Sequence, residues 1–275
     1  MKQIETKYAA MLHVKDQEGY TKATKEAAAC KLFAKLYKDF KEGATLPLFS
    51  CSYSFNLSPL YISENMSGKM EGILSASTCC LCNGNCRLNR SLPINENGNG
   101  CICADCFAVD TQNNYLSLLD HTVYNTAILA SQILPREMFP HFYSVDIFRL
   151  ESFGDLVNKI QAINYLLFAY ENPNTTFTIW TKNPDILDAA IQEYGKPENL
   201  ICIVSSKYKN EIAEANYSWI DHIFTVWDNR EKAEAAGVQI NCRAIVNGVE
   251  VDKCRKCMRC YTKGNKDFYI HELLK

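Results

Sequence analysis

The sequence predicts an α/β fold: a partial or distorted (βα) barrel with a cysteine-rich insertion before it and a cysteine-rich C-terminal tail after it. Three observations lead there. From residue 144 onward, short β-branched runs alternate with helical periodicities, the pattern of parallel βα units. Seven of the chain's 14 cysteines fall within residues 79–108. Three more, Cys254, Cys257 and Cys260, follow the last βα unit at C-x2-C-x2-C spacing. An open doubly wound sheet is the alternative architecture.

The elements are read in order. Residues 24–42 form a helix, because Phe33, Leu36, Tyr37 and Phe40 recur at helical spacing among lysines and Gly43 is a natural stop. TLPLFSCSYSF alternates weakly like a strand, and NENGNG at 95–100 is a turn by composition. Residues 111–134 read as one long helix ending before Pro135. SVDIFRL (144–150) is a strand, and Leu156, Ile160, Ile163, Leu167 and Tyr170 mark the helix after it. TTFTIWT (175–181) is a strand, PDILDAAIQEYG a helix closed by Gly195, and LICIVSS (200–206) a strand. EIAEANYSWI is read as a short helix, HIFTVW (222–227) as a strand, NREKAEAAG as a helix and VQINC as a final strand. The chain thus divides into a helical segment (1–45), a cysteine-rich segment (46–110), a βα-barrel-like body (111–245) and a basic tail (246–275), within one compact domain.

With 275 residues, 47% of them hydrophobic, the chain can bury a sizeable core. A net charge of −2 gives no global attraction to nucleic acid or acidic lipid. The first residues lack the apolar core of a signal peptide, and INYLLFAY (163–170) is too short to span a bilayer. These features predict a cytoplasmic protein without membrane contact. Thiols stay reduced there, and clustered cysteines bind metal in preference to forming disulfides.

In the insertion, Cys82-x3-Cys86 and Cys103-x2-Cys106 are the spacings that favour ligation, with Cys79, Cys80 and Cys101 as competitors. Adjacent Cys79 and Cys80 do not readily reach one metal together. In the tail, Cys254, Cys257 and Cys260 suit a face of a cubane cluster, and Cys242 can supply a fourth thiolate. Zinc usually draws on two separated pairs, so the triplet favours an iron–sulfur cluster of the 4Fe-4S type, with zinc as the alternative. Lys253, Arg255, Lys256, Arg259, Lys263 and Lys266 surround the tail cysteines. They either offset thiolate charge or grip nucleic acid.

Ligands of βα folds bind at the carboxyl ends of the strands. Arg149, Glu151 and Asp155 lie at one such end and Lys182 at the next, and these four are the candidate contacts for a small-molecule substrate or cosubstrate. Asn183 and Asp228 read instead as helix caps, and His121 and His141 as structural residues.

Several of these pieces recur in a fixed order. Cys103, Cys106, Phe107 and Ala108 form a C-x2-C-F-A segment, and a helix with Asn125 follows. FRLESFGD runs from Phe148 to Asp155, a second strand ends in Thr181–Lys182, and C-x2-C-x2-C-Y closes at Tyr261. This order resembles the gene product 88 family of phages and their hosts. The family's compact C-P-G-A type segment is replaced here by a longer run, RLNRSLPINENGNG, between Cys86 and Cys101.

A more distant resemblance is to radical-SAM-like barrels, in which a cysteine segment precedes the βα units and auxiliary clusters occupy the tail. Gly154–Asp155 stands where those enzymes hold the amino group of their cosubstrate. That resemblance implies S-adenosylmethionine as cosubstrate. The contiguous C-x3-C-x2-C run is absent, since position 89 is Asn.

Overall fold

A computed structural model describes residues 11–21, 24–242, 253–264 and 267–274; Lys266 of the basic tail lies outside them. Seven strands lie side by side in chain order: β1 (Ser63–Glu64), β2 (Leu74–Ala76), β3 (Ile147–Leu150), β4 (Thr176–Thr181), β5 (Leu200–Ser205), β6 (His222–Trp227) and β7 (Tyr269–Leu273). β1 pairs antiparallel with β2, and every later pair is parallel.

That order decides between the two predicted architectures. A doubly wound sheet reverses its strand order at a switch point, whereas here every crossover steps the same way. Right-handed crossovers then place their helices on one face, as in a barrel wall. The wall does not close by hydrogen bonds, and β1 and β7 remain its edges. An ion pair links the two sides: Lys69, in the β1–β2 turn, meets Glu272 of β7 at 2.5 Å.

The helices are α1 (Lys25–Lys41), α2 (Gly84–Arg90), α3 (Phe107–Asn114), α4 (Leu116–Ser131), α5 (Lys159–Tyr170), α6 (Pro184–Tyr194), α7 (Arg230–Ala235) and α8 (Cys254–Cys257). Side chains alternate along each strand. Phe148, Leu150, Phe177, Ile179, Leu200, Cys202 and Val204 point into the main core with α1, α4 and α5. At its centre Phe148, Phe168 and Phe177 pack with ring centroids 5.0–5.2 Å apart. Each such buried ring contributes ~1.5–3 kcal/mol. The opposite face carries Ile147 and Trp180, and the tail residues Cys254, Met258, Cys260 and Tyr261 cover it there.

Several local expectations need correction. The helix read over 111–134 is two helices, α3 and α4, broken at Tyr115, whose backbone is extended. EIAEANYSWI and VQINC form neither helix nor strand, and TLPLFSCSYSF contributes only isolated bridges, Phe49 to Ser58 and Ser54 to Phe142. The last strand is instead β7, within the tail. Asn229, not Asp228, caps α7, accepting from Lys232 N. Asn183 holds the cap position of α6 without a side-chain cap, and Pro184 at the first helical position starts that helix. His121 stacks on Tyr61, with ring centroids 3.5 Å apart. No helix among the described residues is long and apolar enough to cross a membrane.

Candidate metal centre

The cysteine-rich insertion begins where β2 ends, so it starts at the carboxyl end of the sheet. A set of buried polar side chains fixes its path. Cys79 N donates to Thr126 Oγ1 at 2.8 Å and Cys80 N to Gln112 Oε1 at 2.9 Å. Gln112 in turn donates to Thr78 O at 3.0 Å. Asn83 caps α2 and donates to Asp155 O at 2.6 Å. After α2 the chain returns over β5: Ile102 N donates to Lys207 O at 3.0 Å, and Lys209 pairs with Asp105 at 2.9 Å. The insertion therefore lies across the carboxyl ends of β2 to β5.

This routing sorts the seven thiols into three sets. Cys80 is hydrogen-bonded to both Cys86 and Cys106. Cys101 pairs with Cys103, and Cys79 with Cys82, whose backbone N–H also donates to the Cys79 sulfur at 3.4 Å. Adjacent Cys79 and Cys80 thus serve different sets. The grouping differs from the spacing-based pairs: Cys80 joins Cys86 and Cys106, while Cys82 turns toward Cys79. Cys86, Cys103 and Cys106 are partly exposed, whereas Cys80 is buried.

The thiols do not have uniform acidity. The Cys80 thiol donates to Cys106, and the N–H groups of Val109 and Ala108 at the start of α3 add to it. Together they hold Cys106 down at about 6 against the opposing effect of burial. Cys101 is likewise held down at about 6, first by the Cys103 thiol. Cys80 and Cys103, the donors, are pushed up.

Lys182 stands among these groups. Burial disfavours its charge, but Cys103, Asp155, Cys106 and Cys86, in that order, more than offset it and hold the ammonium above its ordinary pKa. Its Nζ makes no hydrogen bond or ion pair among the described residues. Asp155 fixes the lysine from below. Its Oδ2 accepts from Lys182 N at 2.9 Å, and its Oδ1 accepts from Thr181 Oγ1 and Leu156 N, each at 2.7 Å.

Glu151 is also engaged within the protein. Its φ of 60° turns the chain out of β3, and its carboxylate accepts from Thr78 Oγ1 at 2.7 Å, from Thr78 N at 3.1 Å and from Tyr165 OH at 2.6 Å. Burial pushes this carboxyl up to about 8, against the hydrogen bonds from Tyr165 and Thr78. Gly154 makes the close approach possible. Its φ is +91°, and a Cβ there would collide with Thr78 Oγ1 and lie 2.7 Å from Glu151 Oε2. Of the four residues read as ligand contacts, Glu151 and Asp155 therefore brace the strand ends, and Lys182 alone projects a free charge at them.

Arg149 lies away from the other three, on the tail side of the sheet. Its guanidinium stacks 3.9 Å over the Trp180 ring and Nη1 meets Met70 Sδ at 2.8 Å, leaving Nε buried without a hydrogen-bond partner among the described residues. Of the tail thiols, Cys242, Cys254 and Cys260 lie within electrostatic reach of one another.

The donor chemistry suits a soft metal, with thiols from separate segments gathered beside cations. Among the described residues no three His, Cys, Asp or Glu side chains stand at metal-ligand spacing. The thiols are gathered and hydrogen-bonded rather than arrayed around a centre. A cleft of about 690 Å3 opens elsewhere, between the β1–β2 turn and α8, and its lining holds no cysteine. It is not at the strand ends. Lys253 and Glu71 pair across it at 2.8 Å.

Among known families, the model of gene product 88 matches residues 75–266. No curated protein and no solved structure matches the chain.

Proposed function

The chain belongs to the gene product 88 family, and from that premise we propose that it is a thiolate metalloprotein whose insertion holds an iron–sulfur cluster at the carboxyl ends of the strands. The observation that carries this reading is Lys182. A desolvated ammonium with no ion pair among the described residues is costly unless negative charge stands near it. The groups around it are, in order, the thiol of Cys103, the carboxylate of Asp155 and the thiols of Cys106 and Cys86, and Cys80 is bonded in turn to Cys86 and Cys106. As thiolates the cysteines add to the charge of Asp155, and as soft donors they select iron–sulfur or zinc over hard cations.

A bound cluster would supply one-electron chemistry to a small-molecule substrate at the strand ends. The chain's own residues then have separate tasks. Cys80, Cys86, Cys103 and Cys106 hold the centre, Lys182 offsets its charge, and Asp155 and Glu151 keep β3 and β4 in register beneath it. Among the described residues no disulfide joins the cysteines, which accords with a reduced, cytoplasmic setting.

The reading as a zinc-stabilised nucleic-acid binder draws less support. Its basic tail is largely committed within the protein: Arg255 donates to Gly72 O at 2.8 Å, Arg259 pairs with Asp267 at 2.7 Å and Lys263 donates to Glu198 O at 3.0 Å.

The test is iron, zinc and acid-labile sulfide measured on protein purified without oxygen, with its visible absorption. Iron with matching sulfide and a charge-transfer band supports the proposal. S-adenosylmethionine binding under reduction then tests the radical-type chemistry. Zinc without sulfide refutes the cluster.

A further inference from the structure

β3 and β4 run in parallel with Arg149 opposite Thr178, and β2 sets Ser75 opposite Arg149 on the other side. Cross-strand partners share a face of the sheet, and so do residues two apart on one strand, which adds Trp180 to Thr178 there. This is the face opposite the main core. Tyr261 of the tail packs on it, with its ring centroid 5.7 Å from that of Trp180. Ser75 is already engaged, with its hydroxyl 3.2 Å from that of Ser63.

Three polar groups of this patch are left over. Arg149 Nε, Thr178 Oγ1 and Tyr261 OH are each buried without a hydrogen-bond partner among the described residues. Thr178 is fully buried and Tyr261 is 4% exposed. Such groups are costly singly, and three together on one patch point to a ligand that supplies the acceptors. Arg149 has the most to gain. Its charge meets the face of Trp180 at 3.9 Å, and its Nη1 meets only the Met70 thioether, a weak acceptor. With Nη1 turned to Met70, the edge that remains is that of Nε and Nη2. Those N–H groups point the same way and match the two oxygens of a carboxylate. The arginine is partly exposed, which leaves an approach from solvent. Nearby cations are engaged within the protein, Lys69 with Glu272 at 2.5 Å and Arg255 with Gly72 O at 2.8 Å. Arg149 thus offers a single charge, which a monocarboxylate balances and a phosphate dianion exceeds.

We propose that Arg149, Thr178 and Tyr261 form a carboxylate-binding site on the tail side of the sheet, for a small molecule bearing one carboxylate group. Arg149 grips that group side-on through Nε and Nη2, the two hydroxyls donate to its oxygens, and Trp180 holds the guanidinium plane by stacking. The site anchors a ligand and takes no chemical step. It shares no residue with the thiol centre proposed above and needs no bound metal. Arg149 is therefore a ligand contact, as its strand position suggests, but of a site apart from Lys182.

The test titrates full-length protein with sodium acetate, sodium chloride or sodium phosphate at matched ionic strength and neutral pH, following tryptophan fluorescence and the thermal midpoint. The expected result is a saturable change with acetate alone. No saturable change with acetate, or an equal response to phosphate, overturns the site. Arg149→Gln should abolish the acetate response, and Arg149→Lys, which keeps the charge but loses the fork, should weaken it about tenfold. Thr178→Val and Tyr261→Phe each remove one hydroxyl from a packed position and should weaken it about fivefold. Without acetate these two should unfold no earlier than wild type, because each loses an unpaired buried group. A merely structural role would instead lower their midpoints and leave acetate binding unchanged, which also overturns the site. Cys80→Ser and Cys106→Ser should bind acetate as wild type does, so that failure of the thiol centre and failure of this site are read separately.

Discussion

The two thiol groups have similar donors but differ in how their charges are met. Over the strand ends, Lys182 has no ion pair among the described residues, and three of the surrounding thiols are partly exposed. On the tail side, Lys69 is paired with Glu272 at 2.5 Å, and the space is filled by Ile73, Ile147 and Tyr261. A cation met by partly exposed thiols and a carboxylate at a distance, rather than by an ion pair, suits a place where something binds and reacts. A neutralised cation behind an apolar packing suits a place that only has to hold. The backbone does not make this difference: Glu151 and Gly154 take left-handed conformations under the insertion, and Gly72 and Met258 do so on the tail side.

The largest effect should come from that backbone. In Gly154→Ala the new Cβ would meet Thr78 Oγ1 and lie 2.8 Å from the immovable Thr78 carbonyl, at a φ of +91°. The expected loss is on the order of 4 kcal/mol or more. Thermal or chemical unfolding measures it, and a cost near 1 kcal/mol would show that the insertion's seat is soft.

Glu151 predicts the next largest effect, as a pH dependence. Its carboxyl, ordinarily near 4.5, keeps its proton up to about 8 in the folded protein. Between those values the folded state binds the proton and the unfolded state does not. The contribution is fully present below about 4.5 and is lost as pH rises through about 8. At ~1.4 kcal/mol per unit, the span bounds it at roughly 5 kcal/mol. Either hydroxyl, of Thr78 or of Tyr165, can turn from donor to acceptor when the carboxyl is protonated. Glu151→Gln should flatten the stability profile over that window, and an unchanged slope would remove Glu151 as its source.

A third effect separates the thiols from their cation. The Cys80 hydrogen bond is the first cause of the low Cys106 pKa, and Lys182 is a later one. Cys80→Ala should therefore raise the midpoint of Cys106 alkylation by iodoacetamide more than Lys182→Met does, with shifts of about one pH unit or less for the lysine. Cys80→Ser keeps a donor and should fall between wild type and Cys80→Ala. A larger shift from Lys182→Met would mean that the lysine, not the thiol pair, governs the group.

The sequence is legible where periodicity is long and opaque where tertiary contacts decide. α1, β4, α6 and β5 were readable from their apolar spacing and their Pro184 and Gly195 boundaries. β2 was not, because three residues, Leu-Ser-Ala, carry no period, and their strand identity comes from pairing with β3. β7 escaped because Tyr-Ile-His-Glu-Leu mixes buried charge with apolar residues, and Glu272 is there to meet Lys69. In the site, Lys182 was recognisable at a strand end. The grouping of Cys80 with Cys86 and Cys106 was not, since it depends on how Gln112 and Thr126 hold the turn. In the tail, the left-handed turn at Met258 falls between Cys257 and Cys260, a break that the C-x2-C-x2-C spacing does not announce.

The smallest effect should come from Gly72, the tail's counterpart of Gly154. It also has a positive φ, +75°, but its added Cβ would meet only Arg255, with Cδ at 3.4 Å and Nη1 at 3.8 Å. Those are ordinary contacts with a flexible side chain, so Gly72→Ala should cost only the backbone penalty of ~1–2 kcal/mol. In a chain this long that lowers the thermal midpoint by a few degrees. The Arg255 bond to the Gly72 carbonyl survives, because the substitution leaves the carbonyl in place. If Gly72→Ala instead unfolds the protein as Gly154→Ala should, the seam beneath the tail is as rigid as the insertion's seat. The contrast between a reactive end and a holding end would then have to rest on Lys182 alone.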